Sequence, residues 1–429
     1  MKTGLRVCAF VIGLAAFSAQ AADPPADRGE YVARAGNCVS CHSVPGAPAL
    51  SGGLKMATPL GAIYSTNITP DKATGIGDYT LEDFDRAMRK GVAKDGHRLY
   101  PAMPYPSYAK MTPEDIKALY EFLMKGVSAA NVPNKPSEIP SPWNIRWPLA
   151  IWNVLFADDD TYEAKAGKDA AWNRGAYLVQ GLGHCGACHT PRGLAFNEKG
   201  YDETDGDFLM GAPLDNWSAS NLRQDVNTGL GRWSKEDLTA FLKTGHNKYG
   251  IAFGTMTEVV NNSTQYMTND DIGAIATYLM SIPGSREGKS NPYTPSTATA
   301  DALKAGDFKA PGALVYSQQC MACHLPTGAA QGEYLPLLAG NPVVLDPSPA
   351  SLINIVLNGS QAVVIDGLPD AYRMPQYRVL LKDQEVADVV SFIRSSWGNA
   401  ASKVTAEEVA AIRKATDPAS DQVHILRMK

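Results

Sequence analysis

Three pentapeptides constrain this chain more than anything else in it: Cys38-Val39-Ser40-Cys41-His42, Cys185-Gly186-Ala187-Cys188-His189 and Cys320-Met321-Ala322-Cys323-His324. Each spells C-x-x-C-H, the attachment signal for c-type haem. The spacing has a mechanical reason, since side chains three and four apart share one face of a helical turn. Two thiols on that face reach the two vinyl groups of one porphyrin, and the histidine beside the second sulfur ligates the iron. A single copy could be half of a zinc site or a redox-active dithiol. Zinc sites pair one C-x-x-C with a second knuckle nearby, whereas these copies lie far apart, each in its own repeated surroundings. Three covalently bound haem c groups are therefore expected, with Cys38, Cys41, Cys185, Cys188, Cys320 and Cys323 as anchors and His42, His189 and His324 as proximal ligands.

The 429 residues, 45% of them hydrophobic and 19% charged, suit an ordinary globular chain of two to four domains, and three haem motifs choose three. Six of the seven cysteines belong to the motifs. The seventh, Cys8, falls in a leader: Lys2 and Arg6 precede an apolar run from Val7 to Phe17 and then Ala19-Gln20-Ala21. This reads as a secretory signal over residues 1–21, cleaved after Ala21 or Ala22, so no cysteine is left for a structural disulfide. Export suits haem attachment, which bacteria carry out beyond the cytoplasmic membrane. Loss of Lys2 and Arg6 takes the formal net charge from −5 to −7, which excludes nucleic acid as a partner. The most apolar later stretch, Trp143 to Ala157, is too short to span a bilayer, so any membrane association is peripheral or comes through another subunit.

Repetition organises the rest. Arg28-Gly29-Glu30-Tyr31-Val32, Arg174-Gly175-Ala176-Tyr177-Leu178 and Pro311-Gly312-Ala313-Leu314-Val315-Tyr316 precede the three motifs, so each motif is expected to end a short helix. A second helix recurs from Thr80, Ser234 and Pro349, and the first two start with hydroxyl caps and acidic first turns. A third, amphipathic helix follows Thr112, Thr268 and Lys382. Ile116, Leu119, Tyr120 and Leu123 form a 3.6-residue stripe, as do Ile272, Ile275, Ala276 and Leu279. The expected fold is mostly α, with three tandem cytochrome c-like helical domains at 22–130, 168–284 and 306–400. Between them lie a Pro/Trp-rich linker at 131–167, read as stiff interdomain packing, and an exposed linker at 285–305. A tail at 401–429 holds a charged helical stretch around Glu407 to Lys414.

A histidine-ligated iron that shuttles electrons needs a distal ligand, and a methionine stands in an irregular segment before the third helix of each repeat: Met103, Met256 and Met374. Proline after Met103 and Met374 holds each in an extended conformation. A lone methionine is core filler, but three in equivalent places argue for axial ligation, with Met256 the least secure because Met267 is nearby. His97 and His246 compete as distal residues but have no counterpart in the third repeat. His184 reads as a local hydrogen-bonding residue. Asn67 and Asn221 belong to a further repeated element, either a loop on the haem edge or ordinary turn chemistry.

These features resemble the triheme cytochrome c subunits of bacterial membrane-bound, periplasm-facing dehydrogenases. The likeness rests on Met56-Ala57-Thr58-Pro59, Tyr64-Ser65-Thr66-Asn67-Ile68-Thr69-Pro70-Asp71, Tyr100-Pro101-Ala102-Met103-Pro104-Tyr105-Pro106-Ser107-Tyr108, Gly183-His184 through Thr190-Pro191-Arg192, and Phe392-Ile393-Arg394-Ser395-Ser396-Trp397-Gly398-Asn399. Its wording is nearest the gluconate 2-dehydrogenase branch. The resemblance implies an electron-transfer subunit at the periplasmic face of the cytoplasmic membrane. A flavoprotein subunit would oxidise the substrate, D-gluconate to 2-dehydro-D-gluconate. A small third subunit would assist assembly or export, and electrons would leave to ubiquinone. Alcohol, sorbitol or aldehyde dehydrogenase complexes are the alternative settings, and a stand-alone haem peroxidase or a partnerless soluble shuttle the rival classes. The chain has no G-x-G-x-x-G dinucleotide fingerprint following an expected strand, so substrate oxidation is expected elsewhere and no catalytic residue is assigned to it.

Overall fold

The structure, a computed structural model, describes residues 26–285, 291–332, 335–366 and 372–418. The signal expected at 1–21 and the end of the tail lie outside the described residues. The first unit runs α1 (Arg28–Ala35), α2 (Cys38–His42), the hairpin β1 (Lys55–Thr58) and β2 (Gly61–Tyr64), α3 (Leu81–Lys90), α4 (Tyr105–Tyr108) and α5 (Pro113–Lys125), with α6 (Leu149–Phe156) in the connection that follows. The second has α7 (Ala170–Tyr177), which continues into a π-helical turn at Leu178–Leu182, then α8 (Gly186–His189). Two hairpins, β3 (Ala212–Leu214) with β4 (Trp217–Ala219) and β5 (His246–Asn247) with β6 (Gly250–Ile251), flank α9 (Lys235–Thr244). Then come α10 (Thr255–Asn262) and α11 (Asn269–Met280). The third comprises α12 (Ala298–Lys304), α13 (Ala313–Gln319), α14 (Met321–His324), α15 (Pro342–Leu345), α16 (Ala350–Asn358), α17 (Asp383–Ser395) and α18 (Ala406–Ala415). The chain is predominantly helical, as its periodicity implied.

The helix boundaries follow from capping. Thr80 with Asp83 and Ser234 with Asp237 close reciprocal capping boxes on α3 and α9, each worth about 1 kcal/mol. Both helices stop at a left-handed glycine, Gly91 and Gly245, where an L side chain would be strained. Thr112 and Thr268 accept hydrogen bonds from the Asp115 and Asp271 amides at the starts of α5 and α11. The stripes Ile116/Leu119/Leu123, Ile272/Ile275/Leu279 and Val386/Val389/Val390/Ile393 are all buried.

The glycine in each of the three repeats that lead into a haem motif explains why the repeat exists. Gly29, Gly175 and Gly312 lie where α1 crosses α5, α7 crosses α11 and the start of α13 meets α17. A Cβ there would stand 2.2 Å from the Ala118 carbonyl oxygen, 2.0 Å from that of Ala274 and 2.2 Å from that of Asp388. Only glycine lets the two backbones meet so closely. The crossing sets the position of the haem motif that follows.

Units one and two are not separate beads on a linker. Tyr31, Val32, Leu119 and Leu123 share one continuous hydrophobic core with Tyr177, Leu178, Ile272 and Leu279. The interface is reciprocal. Arg28 donates to Asp115 at 2.9 and 2.5 Å while Tyr177 Oη of the other unit donates to the second oxygen of Asp115 at 2.6 Å. Conversely, Arg174 donates to both oxygens of Asp271 at 2.7 Å, and Tyr31 Oη donates to Asp271 at 2.6 Å. Two equivalent tyrosines thus each complete the other unit's ion pair, a pseudo-two-fold arrangement that the repeat makes available. In the third unit the residue two positions after the crossing glycine is Leu314, half-exposed, and that unit has its own core around Tyr316, Val386, Val390 and Trp397. A small third cluster, Ala252 and Val260 with Val363 and Ile365, joins it to the second unit.

The two linkers take on more detail than expected, and the helical stretch expected in the tail is present. Within the connection expected at 131–167, Ile139 is buried and Glu138 bridges to Ala62, but Trp143, Trp147, Ile151, Val154 and Leu155 are exposed rather than packed between units. Within 285–305, residues 298–304 form α12, whose Ala300 and Leu303 enter the third core; residues 286–290 are outside the described ones. Within 401–429, α18 is a docked helix: Val409 is fully buried and Arg413 donates to Asp383 at 2.6 Å.

Candidate haem sites

Each motif forms a short helix of its own rather than the end of the preceding one. In the first two units the interruption is a left-handed residue just before the first cysteine, Asn37 at φ 49° and His184 at φ 37°. The chain then restarts as α2 or α8, which brings the two cysteines and the histidine onto one turn. In the third, Cys320 caps α14. All six motif cysteines are unpaired. Burial pushes the Cys38, Cys185, Cys188 and Cys320 thiols up to about 12, so they are neutral sulfurs against apolar walls.

The three histidines share one geometry, which sequence did not reveal. Nδ1 of His42 lies 2.7 Å from the Thr66 carbonyl oxygen, that of His189 2.6 Å from Ser220 and that of His324 3.1 Å from Pro336. A carbonyl only accepts, so each Nδ1 carries the proton and Nε2 presents its lone pair outward. Burial also depresses the pKa of all three imidazoles, which keeps Nε2 unprotonated. Two sulfurs, a bare Nε2 and apolar walls are the donor set a covalently held haem requires, so the residues fit the group.

Thr66 and Ser220 directly precede Asn67 and Asn221, the repeated pair noted in the sequence. Both asparagines are buried and accept from the backbone two residues on, from Thr69 at 2.9 Å and from Arg223 at 2.8 Å. The Asx turn and the haem-side loop are thus one device, a turn whose preceding carbonyl orients the histidine. The repeat of Thr/Ser-Asn was the available signal. In the third unit the same task falls to Pro336, with no sequence echo. Nearby, Trp397 Nε1 donates to the Pro326 carbonyl at 2.9 Å, and fully buried Arg394 donates to the carbonyls of Val344, Asp346 and Ser402.

Met103 and Met374 stand outside helices, as expected, and both are half-buried against their cores. Met374 is held by its backbone: its N–H donates to Ser360 Oγ at 2.8 Å and its carbonyl accepts from Ser360 N at 3.1 Å. Met256 is not in an irregular segment. It occupies the first turn of α10, because no proline follows it and Gly254, at φ 57°, turns the chain directly into that helix. Met267 is buried in the shared core.

His97 is exposed and pairs with Asp95 at 2.5 Å; His246 Nδ1 lies 3.1 Å from the Thr244 carbonyl. His184 is not a local partner. Its Nε2 reaches the Gly36 carbonyl of the first unit at 3.2 Å, and its ring meets Tyr108 edge-on. Ser40, between the first pair of cysteines, accepts from Asn262 of α10 at 2.8 Å. The first two motifs therefore face each other across the shared interface.

Sequence reading passed over Glu198. This buried carboxyl lies against the second motif, where a Cβ on Gly186 would come 2.5 Å from its Oε2. Burial raises its pKa to about 7, against the opposing charge of Arg192 at 3.6 Å.

No helix among the described residues is long and apolar enough to cross a membrane. Residues 26–126 and 309–397 match the cytochrome c family. The chain is 51% identical to the gluconate 2-dehydrogenase cytochrome c subunit of Pantoea cypripedii over 95% of both chains. It is 46% identical to the cytochrome c subunit of the quinone alcohol dehydrogenase of Komagataeibacter europaeus over 98% of this chain and 91% of that one. With the fructose dehydrogenase cytochrome subunit of Gluconobacter japonicus it shares 36% identity over 92% and 84%.

Proposed function

Because the chain belongs to the triheme cytochrome c subunits of dehydrogenase complexes and carries electrons rather than catalysing substrate oxidation, we propose that it relays electrons from a flavoprotein subunit that converts D-gluconate to 2-dehydro-D-gluconate. The acceptor is ubiquinone, at the periplasmic face of the cytoplasmic membrane, and a small third subunit serves assembly. The observation that carries the substrate is the 51% identity spanning 95% of both chains; an alcohol-oxidising complex is the second reading, favoured by the 46% relative.

Bound haem supplies a one-electron iron couple. The protein does the rest. Cys38/Cys41, Cys185/Cys188 and Cys320/Cys323 would hold each group in place, and the carbonyls of Thr66, Ser220 and Pro336 fix the rings of His42, His189 and His324, which would ligate its iron. Met103, Met256 and Met374 are the distal ligands of this reading. A thioether from these residues would raise the potential of a histidine-held haem, which suits electron transfer rather than reaction with peroxide. The reading is tested by removing this chain from cells. Extracts should keep dye-linked gluconate oxidation in the released flavoprotein while the membranes lose gluconate-dependent quinone reduction. Loss of ethanol-dependent quinone reduction alone would select the alcohol complex, and no loss of either would refute the relay.

A further inference from the structure

Soluble helices turn their hydrocarbon inward and their polar groups to water. In α6 the arrangement is reversed. Its polar atoms point into the protein: Asn153 accepts from Tyr105 Oη at 2.7 Å and donates to the Lys90 carbonyl at 2.9 Å, and Trp152 Nε1 donates to the Ala195 carbonyl at 2.8 Å. Its outward side carries Ile151, Val154 and Leu155, with Val154 85% exposed, and the approach to the helix adds Trp143, Ile145 and Trp147, the last 69% exposed. The Trp152–Ala195 bond draws a second segment alongside, and there Leu194 and Phe196 are exposed too. Two stretches of chain distant in sequence thus place large apolar side chains next to one another at the surface, more than an isolated exposed residue requires.

What this face offers a partner is the deciding observation. From Trp147 to Ala157 there is no ionisable side chain, and the polar side chains there, Asn153 and the Trp152 indole, are spent inward. A protein interface carries about one hydrogen bond per 100–200 Å², and the outward face of α6 has no side chain with which to form them, while its approach adds only the two rim indoles and the exposed Asn144. Hydrocarbon asks for none. Tryptophan at the rim and branched aliphatics beyond it is the side-chain order of a segment lying in the headgroup region with its apolar side sunk toward the acyl chains. Resting on the reading that the chain works at a membrane, we propose that the outward face of α6, together with Leu194 and Phe196, is the surface by which this protein seats itself in a lipid bilayer. The exposed run Asp158-Asp159-Asp160 follows the helix directly, so the seat relies on apolar insertion and not on attraction to anionic headgroups.

The test is co-sedimentation of the mature triheme protein with phosphatidylcholine vesicles, and with vesicles of phosphatidylcholine and phosphatidylglycerol in equal parts. Wild type should bind both, no better to the second, and hold on at high salt. Val154→Ser/Leu155→Ser and Trp147→Ser should each lower the partition coefficient about tenfold or more, with haem content and Soret spectrum unchanged. Val379→Ser/Leu380→Ser, which alters exposed apolar residues of the third unit, should bind as wild type does. Equal binding by all variants overturns the proposal. So does a wild type that ignores vesicles but whose α6 variants fail to co-purify with the dehydrogenase subunit, which would make the face a protein interface. Reduction of a water-soluble quinone separates the two readings: a chain that binds vesicles through α6 yet reduces no quinone supports the membrane seat and removes the quinone acceptor.

Discussion

Replacing Gly175 by alanine places a methyl 2.0 Å from the Ala274 carbonyl oxygen and 2.8 Å from Tyr278 Cβ. Ordinary contact begins near 3.4 Å, so α7 and α11 must separate by roughly 1.4 Å, and a backbone carbonyl, unlike a side-chain end, has no rotamer by which to yield. This crossing lies in the core shared by the first two units, and the cost should reach the upper end of overpacking, about 3 kcal/mol. The internal control is Gly273, adjacent to Ala274 in the same helix, where an added Cβ meets nothing within 4 Å. Gly273→Ala should stabilise by about 0.5–1 kcal/mol through helix propensity alone. Denaturant midpoints followed in the Soret region give both numbers on the holoprotein. Gly175→Ala should also disturb the second haem's spectrum, since α7 leads into its attachment turn. A Gly175→Ala protein within about 0.5 kcal/mol of wild type, or a Gly273→Ala protein equally destabilised, would refute the crossing argument.

Tyr31→Phe and Tyr177→Phe each remove a hydrogen bond to a buried carboxylate and should each cost about 1.5–3 kcal/mol, with non-additive effects in the double variant because Arg174, paired with Asp271, also lies over the Tyr177 ring at 5.3 Å. Asp271 is buried, which acts to raise its pKa, but Arg174 and Tyr31 hold the carboxyl below its ordinary range. Its contribution to stability is therefore full above the unfolded value of about 3.9 and lost as pH falls through the folded one; Asp271→Asn should flatten the acid limb of a stability-pH curve. Glu198, raised to about 7 by burial beside the second motif, should make that haem's midpoint potential fall as pH rises through neutrality, since an ionised carboxylate favours the oxidised iron; in Glu198→Gln the titration should be flat over the same range. Met374→Ala should lower the third haem's midpoint and open its iron to carbon monoxide; an unchanged potential would remove Met374 from the ligand set.

Much of this molecule could be read from residues because its signals are local. C-x-x-C-H, the hydroxyl caps at Thr80 and Ser234, and the stripe Ile116/Leu119/Leu123 each specify their own turn of chain, and the mostly helical fold followed. What escaped was everything set by a partner distant in sequence. The tyrosine of the Arg-Gly-x-Tyr repeat reads as a core aromatic; its hydroxyl crosses to another unit's aspartate, and no spacing records that. The carbonyls of Thr66, Ser220 and Pro336 belong to the backbone, so no side chain advertises them, although the recurring asparagine marked two of the three turns. His184 passed as local because its partner, Gly36, lies 148 residues away. The stretch from Trp143 to Phe156 illustrates the opposite error: apolar composition suggests burial, while the actual direction of its side chains depends on where Asn153 and Trp152 find their hydrogen bonds.

The proposed relay needs three covalently bound haems, each with its iron held by histidine and methionine and each passing one electron at a time. A spectroelectrochemical titration of the mature protein, calibrated by pyridine haemochrome, measures all of this at once. The expected result is three haems per polypeptide, three one-electron waves and low-spin spectra throughout. Fewer than three haems, or a high-spin fraction that reacts with peroxide, would contradict it.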